Sequence, residues 1–145
     1  MTEKKSNRHM EYAKAGRRIG AWVIDIVIIL IITNLLMTLF FWTIDIPFYF
    51  IFQIVAYLIG LFYFCVLESI NGQTLGKLIV RLRTVDEDTL EVCNFIDNLK
   101  NCILKCHWLL CLLDFVIGII KNSDDPKKRI RLMQNISNTV VIKTR

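Results

Sequence analysis

Asp25 stands alone in the apolar stretch 19–42, seven positions after Arg18. On a helix that spacing puts both side chains on one face, two turns and about 10 Å apart along the axis. A carboxylate held in hydrocarbon costs several kcal/mol unless it meets a proton, a water or a base, so an acid there marks a functional or an assembly site. Arg18 is long enough to reach the head groups and Asp25 is not, so the partner of Asp25 has to come from another segment. Lys77, Arg81 and Arg131 are the candidate bases, and Trp22, within a turn of both residues, is placed to shield them from lipid. Two chemistries fit: Asp25 binds a cation or exchanges a proton, or it locks a helix hairpin to a base.

The second polar cluster runs from Glu68 through Gly72, Gln73, Thr74, Gly76 and Lys77. It lacks the four-residue gap of a phosphate-cradling loop and follows no strand of a doubly wound pattern, so nucleotide binding is not expected. Gly72 permits a turn after Asn71, Gly76 permits close approach to a neighbour, and Lys77 can reach a lipid phosphate or an acid such as Asp25 or Glu68. Among the five cysteines, Cys102 and Cys106 beside His107 have helical rather than metal-knuckle spacing, and Cys111 faces nearly opposite Cys102. They read as buried free thiols, with no metal and no disulfide framework. No nucleophile stands with a base and an orienting group, so neither an enzyme nor a cofactor is expected.

The elements that must position these residues are those of a membrane protein. The chain has 145 residues, 54% apolar, with two prolines and a mean hydropathy of +0.48, and it should form a single domain. Six of the 18 Lys and Arg precede Ile19, five lie from Lys77 to Lys105, seven from Lys121 on, and none between Arg18 and Lys77. Basic blocks alternating with apolar runs match a positive-inside arrangement and anionic lipid rather than nucleic acid. Residues 1–18 read as a basic cytoplasmic tail that turns helical near Tyr12; 19–42 and 48–67 are long enough to span, at roughly 20 residues per crossing. The base-free turn 43–47 fits the outer side, and Trp42, Tyr49 and Tyr63 fit an aromatic belt.

Residues 68–101 form a cytoplasmic segment. Leu75, Leu78, Ile79 and Leu82 repeat at helical spacing, while 80–85 alternate as a half-buried strand that can pair with 139–142. Asn94 with Asp97 three residues later predicts a helix opening toward Lys105. The apolar segment 102–120 contains Lys105, His107 and Asp114, and the basic tail 121–145 follows it; positive-inside logic keeps both ends of the segment on one side, re-entrant or half-sunk. The fold class expected is an all-α membrane protein: a two-span hairpin, a third apolar re-entrant or spanning segment, and a small cytoplasmic β element.

Three blocks resemble the RDD family of small integral membrane proteins: 17–25 with Arg18 and Asp25, 68–77 with its Gly-Gln-Thr-Leu-Gly-Lys run, and 131–141 beginning Arg131-Leu132. The resemblance implies a first-helix arginine and aspartate at Arg18 and Asp25, and a further aspartate near 134, where this chain has Gln134. Ser137-Asn138 stand where Ala-Gly is usual. Ion or solute transport is the activity the family suggests.

The sequence therefore suggests a multi-pass protein of the cell membrane, N-terminus cytoplasmic, handling protons, monovalent cations or small solutes. The alternative is a non-transporting scaffold or accessory subunit whose charges stabilise the hairpin and bind lipid or a partner. Gln53 and Tyr57 share a face of the second helix, but few polar groups gather near Asp25. A pore within one chain is not expected, so a transport reading calls for a homo-oligomer or a membrane partner.

Overall fold

The computed structural model describes residues 11–40, 48–124 and 129–144. Its two long helices are α1, Ala15–Phe40, and α2, Phe48–Asn71. Both are apolar on nearly every side, as helices facing hydrocarbon must be, and Ala15–Phe40 and Phe50–Asn71 are each long and apolar enough to cross a membrane. On α1 the buried residues Arg18, Ala21, Asp25, Ile29, Thr33 and Met37 recur about once per turn, one narrow stripe facing the rest of the protein. Ile29 packs there with Phe64 and Cys65 of α2 and with Cys102.

The helices start and stop differently from the expected 19–42 and 48–67. α1 begins at Ala15, taking Arg18 into its first turns, while Trp42 and the turn 43–47 lie outside the described residues. α2 continues through Glu68 to Asn71, because nothing breaks it before Gly72, which adopts φ +67. A side chain on Gly72 would also collide with the carbonyl of Thr84, 2.4 Å from an ideal Cβ. Tyr12 is not helical. It bridges Ile142, and the carbonyl of Val141 accepts from Ala13 at 3.0 Å.

After Gly72 come α3, Leu75–Ile79, capped by Thr74, and β1, Leu82–Asp86. β1 pairs antiparallel with β2, Thr139–Lys143, with Thr84 opposite Val141 and Asp86 opposite Thr139. β1 begins two residues after the strand predicted at 80–85, because Val80 caps α3 and Arg81 turns at φ 58, whereas β2 begins at Thr139 as expected. Residues 11–13 lie along the other edge of β2, so β2 is paired on both edges, which removes an exposed strand edge. The acidic turn after β1 is held by the carboxylate of Asp86, which accepts from the amides of Asp88 at 3.0 Å and Thr89 at 2.9 Å.

The apolar segment expected at 102–120 is two helices. Cys102 and Ile103 end α4, Phe95–Ile103, residues 104–107 form the link, and α5 follows as Trp108–Lys121. They meet at a 98° bend. Asn94 occupies the cap position of α4 but makes no side-chain capping bond. The chain then returns: an ideal Cβ on Gly118 of α5 would lie 2.4 Å from the Cα of Arg131, so the backbone at 131 rests directly on that helix. Leu132–Ile136 forms α6, which leads into β2. Because β2 pairs with β1, the segment before α4 and the segment after α5 end side by side.

Candidate functional site

Asp25 is fully buried. Its position on the α1 stripe points it at the turn between α2 and β1, where three donors converge. Oδ1 accepts from the Tyr63 hydroxyl at 2.8 Å and from the Gly76 amide at 2.8 Å, and Oδ2 accepts from the Thr74 hydroxyl at 2.6 Å. Gly76 is required by this approach: an ideal Cβ there would sit 2.2 Å from the carbonyl of Ala21 and 2.9 Å from the Asp25 carboxylate. Two of the donors are themselves supported, since the Tyr63 oxygen accepts from the Leu75 amide at 3.2 Å and Thr74 Oγ1 from the Lys77 amide at 3.3 Å. The opening amides of α3 thus feed, directly or through a hydroxyl, into one acid on α1.

None of these three donors is a base, which corrects the expected partners. Lys77 turns to Glu68, at 2.7 Å, and to the hydroxyl of Thr84. Arg81 is exposed. Arg131 binds the side chain and carbonyl of Asn101 and lies 3.6 Å from Asp114. Arg18 donates to the carbonyl of Val141 at 3.2 Å and so joins α1 to β2.

The second centre is Glu68, also fully buried. Oε1 accepts from both Lys77 and Lys105, and Oε2 accepts from Asn101 at 3.3 Å. Lys105 lies over the Phe64 ring, 3.7 Å from its centroid, a cation–π contact that suits a desolvated ammonium. Burial pulls the Lys77 ammonium down to about 8, against the opposing attraction of Glu68. Gly72 and Gln73 serve this layer through the backbone: Gln73 donates to the carbonyl of Leu82 at 2.7 Å, and the Gly72 carbonyl accepts from Thr84 at 2.7 Å. Trp22 donates to the carbonyl of Lys105 at 3.3 Å.

The third centre is Asp114, which accepts from the Met133 amide at 2.9 Å beside Arg131. Gln134 is buried, its side-chain carbonyl accepting from the Ile130 amide at 3.1 Å. The functional residues that sequence reasoning missed are Tyr63, Asn101, Lys105 and Asp114. Lys105 and Asp114 left a signal, a base and an acid within an apolar segment; Tyr63 looked like an ordinary belt residue. All five cysteines are free, and among the described residues no group of three His, Cys, Asp or Glu is placed to hold a metal.

The sequence profile of the RDD family matches residues 12–125, from the residue that bridges β2 to just past α5. The chain belongs to the RDD family. No curated protein and no solved structure matches it. The RDD match takes in Arg18, Asp25 and the whole 68–77 block, so the Asp25 and Glu68 centres are built largely from family-matched residues. It stops short of Arg131 and Gln134, the block in which this RDD chain departs from the expected aspartate. With two helices long and apolar enough to cross a membrane, it is an RDD membrane protein.

Proposed function

We propose that this RDD protein is a non-transporting scaffold or accessory subunit, not an enzyme, residing in the cell membrane with both ends of the described chain on the cytoplasmic side. The observation that carries this reading is the coordination of Asp25: three neutral donors from α2, the Thr74 cap and α3 converge on its two oxygens. A carboxylate so engaged fixes α2 and the capped start of α3 to α1 and has few lone pairs left for a transported cation. Glu68 does the same for α2, α3 and the α4–α5 bend. The basic residues outside these centres, with the exposed apolar faces of α1 and α2, would engage anionic lipid and a second copy or a membrane partner.

One observation favours transport instead: Asp25 borders a small internal cavity. Proteoliposomes separate the two. The scaffold reading expects no proton, sodium or potassium flux above that of empty vesicles, and an Asp25→Asn protein with a lowered melting temperature. Flux by the wild type that disappears in Asp25→Asn, with the melting temperature unchanged, would establish the transport reading in its place.

A further inference from the structure

A cavity of about 40 Å³ lies between α1, α3, the α4–α5 bend and the residues leading into α6. Arg18, Lys77, Lys105 and Arg131 line it, each no more than 8% exposed, and Asp25 is the one acid on its wall among the described residues. That acid is already engaged by Tyr63, Thr74 and Gly76. Glu68 and Asp114, which pair with Lys77, Lys105 and Arg131, are not among the lining residues. Leu82 and Val141 close the space with apolar surface, which lowers the local dielectric and strengthens every charge interaction inside it.

Four cationic side chains converging on a water-poor space repel one another, and an anion among them would be attracted by all four. A water needs about 10–15 Å³ by the same measure, so the cavity holds either a few waters or one small anion. Two of the four cations are guanidinium groups, whose planar fork matches the oxygens of an oxyanion better than a halide. We propose that this cavity binds one phosphate-class oxyanion, supplied as the free ion or as the phosphate of a lipid head group. It would tie α1, α3 and the Arg131 segment together from inside.

The test is equilibrium dialysis of the full-length chain in detergent against radiolabelled inorganic phosphate, with ionic strength held constant by sodium gluconate. One phosphate per chain, bound saturably and displaced by sulfate but not by gluconate, is the result expected. Arg18→Gln should weaken binding at least tenfold and Arg18→Lys should recover part of it; if Arg18→Gln does not fold, saturation and sulfate competition in the wild type decide. A parallel arm compares delipidated protein in bicelles containing phosphatidic acid or only phosphatidylcholine. Stabilisation by phosphatidic acid alone, with no uptake of free phosphate, identifies the lipid head group as the source. Unsaturable binding, binding undiminished in a folded Arg18→Gln protein, or no effect in either arm overturns the proposal.

Discussion

The amide nitrogen of Gly76 lies 2.8 Å from the carboxylate of Asp25, fifty-one positions earlier in the chain. That contact exists because position 76 carries no side chain: any Cβ would press on the backbone of α1 at Ala21. Gly76→Ala should therefore cost at least the roughly 1–3 kcal/mol of an overpacked core. Gly20→Ala is the control, since a Cβ there meets nothing within 4 Å. Thermal unfolding in detergent checks the pair, and equal melting temperatures would show that α3 does not rest on α1 as described.

Tyr63→Phe and Thr74→Val each remove one hydroxyl donor from Asp25. Each should cost about 1–3 kcal/mol, the range for leaving a buried polar group short of a hydrogen-bond partner. Because both act on the same carboxylate, the double variant should depart from additivity by at least about 0.5 kcal/mol. A double-mutant cycle on unfolding free energies reads this directly, and strict additivity would mean the two hydroxyls do not share one acceptor.

Glu68 answers two buried ammonium groups, and Lys105 only one buried acid. Glu68→Gln leaves both lysines uncompensated and should cost about 3–5 kcal/mol, seen as lost expression or early melting. Lys105→Met leaves Lys77 still paired with Glu68, so its melting temperature should fall less. The reverse order would show that the cluster is centred elsewhere.

Burial holds the Lys77 ammonium down to about 8 in the folded protein, below the ordinary 10.5 it regains when unfolded. Between those values the unfolded chain holds more protons, so this group makes stability rise with pH across the window. The melting temperature of the wild type should climb from pH 8 to pH 10 relative to Lys77→Met, whose profile lacks the contribution. Parallel profiles would mean that Lys77 is not held in a desolvated site.

Residues 11–13 and β2 are hydrogen-bonded to each other, which brings the two ends of the described chain together. Reporter fusions at the two termini should therefore sit on one side of the membrane, the cytoplasmic side by the distribution of basic residues. Reporters on opposite sides would contradict the strand pairing itself.

The sequence by itself determined what depends on local pattern. The apolar runs mark α1 and α2, the alternation near 80–85 and 139–142 marks the strand pair with only the start of β1 two residues early, and Gly72 and Gly76 mark a turn and a close approach. It also picked out Asp25 and the 68–77 block, because a charge in hydrocarbon and a glycine beside a turn are conspicuous wherever they occur. Only the tertiary structure decided who meets whom. Arg18 and Asp25, placed on one face by helical spacing, take different partners, Val141 on one hand and Tyr63, Thr74 and Gly76 on the other. Lys77 takes Glu68, and Lys105 and Asp114, isolated charges within an apolar segment, become partners of Glu68 and Arg131 once the 98° bend folds that segment back. Periodicity reports which face of an element is buried, but a buried charge is satisfied by whatever donor or acid the chain brings to it across many residues. That choice is made by packing at a distance, and no local pattern records it.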